Sequence, residues 1–179
     1  MRIISGKYGS RRINPPAHMP HTRPTTDIAK TGLFNILQNR IALDGIKTLD
    51  LFGGTGSISY ELASRGATDL TIVEMDNTMH GFIKKNVDML KIDNCKVLKM
   101  EVFNFLKTCT EEYDFIFAGP PYALGTIDEI PRIIVQQKMI AEDGLFVLEH
   151  TPRNNYELFE GFSFVRNYGT TLFSFFSRV

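Results

Sequence analysis

The stretch LDLFGGTGS, residues 49–57, joins two different periodicities. Before it, IKTLDLF is a short apolar run of the kind that forms a buried strand. After it, SISYELASRG has helical spacing and is stopped by Gly66. A strand, a glycine loop and a helix in that order place the loop at the carboxyl end of a strand, where open α/β sheets bind ligands. Gly53, Gly54 and Gly56 let the backbone approach a ligand closely, and Phe52 lies beside them. The same pattern also occurs as a plain tight turn. Phosphate readings do not fit it. No Gly-Lys-Ser/Thr follows, and the third glycine of a dinucleotide fingerprint would fall at position 59, which is Ser59. Asp50, just before the glycines, repels phosphate but can accept hydrogen bonds from an ammonium group. The next strand ends in VEMD, and Glu74, 24 positions after Asp50, is placed to accept both hydroxyls of a ribose. A nucleoside joined to an amino acid meets these demands, and S-adenosylmethionine has those parts.

Outward from the loop, strands and helices alternate. DLTIVEM, CKVLKM, YDFIFAG and GLFVLEH read as further strands. NTMHGFIKKNVDMLK, a short segment near VFNFLKT, and most of TIDEIPRIIVQQK read as the helices between them. Such alternation implies βαβ units and a mainly parallel sheet covered on both faces. The end of the chain breaks the pattern, because FSFVRNY and TTLFSFFSR are strand-like runs joined by a turn near Gly169, an antiparallel hairpin. The total is seven strands. Upstream, Thr26 can cap a helix with apolar positions Ile28, Leu33, Phe34, Ile36 and Leu37, weakened slightly by Gly32. RIISG and SRRIN read as two short strands around GKYG, followed by a Pro-rich loop. The expected division is an appendage over residues 1–25 and one domain over residues 26–179.

Composition narrows the function. The 179 residues suit one domain, and no apolar run is long enough to span a bilayer. Two cysteines, Cys95 and Cys109, form neither a disulfide framework nor a zinc motif, so a reducing cytoplasm is the expected setting and no metal is expected. His18 and His21 lie on a Pro-rich loop, and His80 and His150 lack cysteine partners. The net charge is zero, yet residues 1–26 carry Arg2, Lys7, Arg11, Arg12 and Arg23 and no acid. That basic arm is either a foothold for nucleic-acid phosphate or a solvated terminus.

The fourth strand of the alternating series runs into AGPPYALG, residues 118–125. A Pro-Pro-Tyr after a strand can hold a flat base while its amino group is methylated. Sites of this type carry Asp or Asn just before the prolines, and here that residue is Gly119. Glu101, after the third strand of that series, either contacts an adenine edge or serves as a helix N-terminal acid. Phe103 either lines the same ligand or packs in the core. Glu149 and His150 end the fifth strand and either shape the base pocket or form an ordinary strand-end polar pair.

With these motifs together, the chain resembles the RsmD family, bacterial methyltransferases of a guanine N2 in small-subunit ribosomal RNA. The resemblance runs through MRIISGKYGSRR, RPTTDIAKTGLFNIL, LDLFGGTGS, YDFIFAGPPY, GLFVLEH and YGTTLFSFF. It implies an α/β, Rossmann-like class I methyltransferase fold with a reversed last strand. It implies cofactor contacts at Asp50, Gly53, Gly54, Gly56 and Glu74; Phe52 and Glu101 are further cofactor candidates, with Asp more usual in the family at the position of Glu101. Pro120, Pro121 and Tyr122 would hold the base, with Gly119 where the family has Asp or Asn, and Arg23 would belong to the segment that meets RNA, to which the charge of the arm adds Arg11 and Arg12. The expected partner is small-subunit ribosomal RNA or the assembled small subunit, engaged by a monomer. Two other functions stay open: an amino-methyltransferase acting on DNA adenine or protein glutamine, and a catalytically impaired RNA-binding assembly factor. Gly119 removes one acceptor from the target amine, so Gly119→Asp is expected to raise turnover at least about tenfold, provided the loop keeps its shape.

Overall fold

The computed structural model describes residues 1–19 and 24–179. Its elements are α1 (Asp27–Arg40), β1 (Lys47–Leu51), α2 (Ser57–Ser64), β2 (Asp69–Glu74), α3 (Asn77–Leu90), β3 (Cys95–Lys99), α4 (Val102–Thr108), β4 (Tyr113–Ala118), α5 (Glu129–Gln136), β5 (Ile140–His150), β6 (Phe162–Tyr168) and β7 (Thr171–Phe176). They build one seven-stranded sheet in the order β3-β2-β1-β4-β5-β7-β6. β1 to β5 pair in parallel, and β7 enters antiparallel between β5 and β6. The seven-stranded, mainly parallel sheet with a terminal hairpin is therefore present as expected. The chain winds outward from β1 to β3, then restarts at β4 on the other side of β1. The switch point lies between the carboxyl ends of β1 and β4, where a crevice opens.

Strand alternation assigns side chains to two cores. Leu49 and Leu51 of β1 pack with α4 and α5 residues such as Leu106 and Ile134, while Phe115 and Phe117 of β4 join α1, α2 and α3 on the other face. Thr26 caps α1 by accepting from Ala29 N at 3.2 Å. Gly32 is where a side chain would run into the Tyr168 ring of β6, so the poor helix former allows a close helix–sheet approach. Ile28, counted above with the apolar face, is 78% exposed. The buried face is Ala29, Leu33, Phe34 and Leu37, and Ile28 falls on its outer edge.

The N-terminal hairpin is shorter than expected. Only Arg2 and Arg12 form a bridge. Ile3 N and Ser10 N bond across the hairpin, to Arg11 O and Ile3 O, while other donors of the arm turn to α2. Ile4 N and Ser5 N donate to Glu61 Oε1 and Oε2 at 2.8 and 3.1 Å, and Tyr8 N donates to Ser64 Oγ at 2.9 Å. Ile3, Tyr8 and Ile13 are buried in the core shared by α1 and α2. Glu61 also receives Lys30 Nζ of α1 at 3.2 Å and Arg65 Nε at 2.9 Å. Burial alone would raise the Glu61 carboxyl, but the Ile4 N–H, Arg65 and Lys30 together hold it below the usual range. Breaking a buried pair leaves its partners uncompensated. Glu61→Ala should therefore destabilise the protein by about 3–5 kcal/mol in urea unfolding. Lys30→Met, which leaves Arg65 on the carboxylate, should cost less.

Candidate active site

One cavity of about 620 Å³ occupies the switch-point crevice. It is lined by Asp50, Phe52, Gly53 and Gly54 from the end of β1, Glu74 from β2, Glu101 and Phe103 near α4, and Gly119, Pro120 and Pro121 after β4. Pro24 and Thr25, which lead into α1, and Glu149 from β5 also line it. The two loops are adjacent because β1 and β4 pair in parallel up to Leu51–Ala118, and Gly119 N donates to Leu51 O at 3.3 Å.

The glycine loop is shaped by close contacts. A Cβ at Gly53 would lie 2.5 Å from Ile72 Cγ2, so no larger residue fits under the loop. Phe52 has φ of 61°, a left-handed conformation uncommon for a bulky residue. Gly56 is the left-handed N-cap of α2 and does not line the cavity, and its missing side chain admits Tyr60. The glycines thus bend the chain and draw it against β2, next to Glu74.

Glu74 is held by the loop it faces. Its Oε1 accepts from Gly54 N at 2.8 Å, and its Oε2 accepts from Asp76 N at 3.0 Å. Asp50 Oδ2 accepts from Ser59 Oγ at 2.7 Å. Burial is the largest influence on Asp50 and the nearby Glu74 charge adds to it, so the Asp50 pKa is pushed up to about 7. A buried carboxyl beside another acid is a ready site for a cation, because a positive ligand would restore its charged form. Glu101 N-caps α4, accepting from Phe103 N and Asn104 N at 2.6 and 3.2 Å, and it lines the cavity as well. Glu101 thus caps a helix and borders the cavity at once.

The other expected residues are distributed as follows. Tyr122 is half-buried outside the cavity wall, its hydroxyl donating to Glu149 Oε1 at 3.0 Å and lying 3.3 Å from Thr171 Oγ1. Arg11 and Arg12 are exposed on the arm, with the Arg11 guanidinium 5.4 Å from the Tyr8 ring centroid. Arg23 and His21 lie outside the described residues. Among the described residues, no group of three His, Cys, Asp or Glu could hold a metal ion, and no helix is long and apolar enough to cross a membrane. His150 does not line the cavity. It points to the opposite core, where its ring meets Tyr156 at 4.9 Å and Nε2 pairs with Ser174 Oγ at 2.7 Å. Burial lowers its pKa.

Comparison with known proteins agrees with this architecture. The family model described as "Conserved hypothetical protein 95" matches residues 1–177. "Ribosomal RNA small subunit methyltransferase D" of Escherichia coli (strain K12) is 30% identical over 154 residues, covering 86% of this chain and 76% of that protein. The chain belongs to this family, the RsmD family. A solved Thermus thermophilus protein, described as hypothetical, superposes with a TM-score of 0.86 at 26% identity over 100% of this chain and 99% of that one. The Thermus thermophilus "16S rRNA N2 G1207 methyltransferase (RsmC) in complex with AdoMet and Guanosine" shares the fold, with a TM-score of 0.68 at 23% identity over 87% of this chain and 44% of that one.

Of the pair Glu149 and His150 that the sequence singles out, Glu149 alone lines the cavity, and Thr25, which also lines it, has no signal in the sequence. Period-2 alternation puts Glu149 and His150 on opposite faces of β5, a signal present in the sequence. The raised Asp50 pKa has a measurable consequence. The protonated form is favoured in the folded state, so its contribution to stability is lost as pH rises from the unfolded value of 3.8 through about 7. Thermal unfolding of the ligand-free protein should show a loss of roughly 1.4 kcal/mol between pH 6 and pH 8, and Asp50→Asn should abolish that slope.

Proposed function

We propose that this chain transfers a methyl group from S-adenosylmethionine to the exocyclic N2 amine of a guanine in small-subunit ribosomal RNA. The observation that carries the reading is the single crevice in which Asp50, Glu74 and the glycine loop face the Gly119-Pro120-Pro121 turn. The names of the curated relatives support the RNA substrate class, and the Pro-Pro-Tyr resemblance supports the guanine amine.

The residues present fit such a cofactor. Asp50 is a buried carboxyl suited to an ammonium, and Glu74 is oriented by two backbone amides, leaving each oxygen further lone-pair capacity for ribose hydroxyls. Phe103 and Glu101 would border the adenine. When bound, S-adenosylmethionine supplies an electrophilic methyl on a sulfonium, the carbon–sulfur electron pair returning to sulfur as the methyl leaves. The protein's own task concerns the acceptor. The guanine amine shares its lone pair with the ring and is a poor nucleophile. Acceptors placed on its protons free that pair and stabilise the developing positive charge. The Pro120 carbonyl is one acceptor. The diproline restricts both φ angles and holds that carbonyl in place. Tyr122 would close the base site, and Arg11 and Arg12, with Arg23, would meet RNA phosphate. The chain would work as a monomer in a reducing cytoplasm, a setting that keeps thiols such as Cys95 and Cys109 reduced.

Gly119 favours one second reading, an RNA-binding assembly factor with impaired catalysis. Radiolabelled methyl transfer to small subunits lacking the modification, with mapping of the product nucleotide, separates the two. The expected product is N2-methylguanosine. Label on adenine or on protein would overturn the guanine assignment, and normal cofactor binding without transfer would favour the assembly factor.

A further inference from the structure

We propose that Ser59 is a positioning residue for the cofactor: from behind the cavity wall, it holds the Asp50 carboxylate oriented for the cofactor's ammonium group. The inference rests on the cofactor placement proposed above.

The two residues meet because of the way the glycine loop turns. Asp50 is the penultimate residue of β1, and Ser59 is the third residue of α2, the helix that follows the loop. The chain turns back between them, so the first turn of the helix meets the strand it came from. Ser59 Oγ donates to Asp50 Oδ2 at 2.7 Å, and the residues are 1% and 2% exposed. Asp50 lines the cavity and Ser59 does not. Ser59 therefore touches the acid and not the ligand.

The start of the helix gives the pair a second reason to meet. First-turn amides of a helix have no partner within it. Gly56, the N-cap of α2, makes no side-chain hydrogen bond to them. The Ser59 amide belongs to that first turn and bears on Asp50. Its hydroxyl and its amide both favour the charged carboxyl. A glycine at position 59, as in a dinucleotide fingerprint, could supply the amide but not the hydroxyl.

The hydroxyl matters because the other surroundings of Asp50 oppose its charge. Burial is the largest influence, and Glu74 from β2 adds a like charge. The register neighbours on either side, Ile72 of β2 and Phe117 of β4, are apolar. Tyr60 of α2 and Cys95 of β3 also sense Asp50. Burial first, and then the Asp50 charge, pushes the Tyr60 hydroxyl up and the Cys95 thiol up to about 12, so both stay neutral. Among the described residues, none forms an ion pair with Asp50. The balance pushes the carboxyl up to about 7. An ammonium pairs with the ionised form. Affinity for a ligand carrying that group should therefore rise as pH passes upward through about 7, and level off above it. Removing the Ser59 hydroxyl takes away an influence that lowers the Asp50 pKa. The same rise should then move to higher pH.

The test is calorimetry across this pH range with two ligands, S-adenosylhomocysteine and methylthioadenosine. Both contain the thioadenosine part, and only the first has the amino-acid part. For the parent, S-adenosylhomocysteine affinity should rise about tenfold from pH 6 to pH 8, while methylthioadenosine affinity stays flat. Ser59→Ala should weaken S-adenosylhomocysteine roughly tenfold at pH 6, about the worth of one hydrogen bond to a charged group. The gap should narrow as pH rises above 8. Methylthioadenosine affinity should stay within about twofold of the parent. A merely structural Ser59 would weaken both ligands alike at every pH.

The assignment is overturned if Ser59→Ala binds S-adenosylhomocysteine like the parent at pH 6, if it weakens both ligands equally, or if the parent's profile is flat. Alanine is the better helix former, so the fold should hold. Should Ser59→Ala fail to fold, Ser59→Cys takes its place, with a similar volume and only a weak donor. It should show the same displaced profile, and a profile like the parent's would overturn the role. A parent that binds neither ligand refutes the cofactor placement itself. A parent that binds both, with Ser59→Ala unchanged, refutes only the role of Ser59.

Discussion

The buried carboxylate of Glu61 is the constraint on which the placement of the other parts depends. It lies on α2, the helix that the glycine loop opens, and it gathers backbone amides from the arm, Lys30 from α1 and Arg65 from its own helix. Lys30 in turn donates to Arg2 O at 3.1 Å and Ser57 Oγ at 3.0 Å. One charge cluster therefore holds the arm, the first helix and the start of α2 together. The residues just before α1, Pro24 and Thr25, form part of the cavity wall. A fastener on one side of the molecule thus sets the wall of the site. Burying these charges is costly, and the cluster persists because its oxygens and nitrogens are satisfied by one another and by the backbone.

The site itself follows from where the sheet reverses direction. Parallel strands expose their carboxyl ends along one edge, and the switch between β1 and β4 opens a crevice there. Acids at the ends of β1, β2 and β5 project into it, on the face opposite the core formed by α4 and α5. These acids are handled differently. Asp50 accepts from one serine, with its pKa raised toward neutrality, Glu74 is tied by backbone amides, and Glu149 accepts from the Thr25 and Tyr122 hydroxyls. In the proposed reading, Asp50 would meet an ammonium and Glu74 a pair of ribose hydroxyls.

Much of this was legible in the sequence because parallel strands are apolar runs, their helices have a different period, and ligand-facing acids fall at strand ends. Asp50, Glu74 and the glycine loop stand out for that reason. The arm was harder to read. An acid such as Glu61 in a helix suggests a solvent-facing position, and only tertiary packing reveals that it takes two backbone amides of the arm. Ile28 has suitable spacing but sits at the edge of the buried face, where period alone cannot decide. That Gly119 and Glu149 line one cavity depends on the register between two strands separated by a helix, and residue spacing carries no information about register.

The central claim is that this crevice is the methyl-transfer site, with Asp50 and Glu74 dividing the cofactor between them. A crystal structure of the protein with S-adenosylhomocysteine tests it most directly. The account predicts the ribose hydroxyls within hydrogen-bond distance of Glu74, the amino group on the Asp50 side, and the sulfur facing the Gly119-Pro120-Pro121 turn. A ligand bound elsewhere, or in this crevice with its sulfur turned away from the diproline, would contradict it.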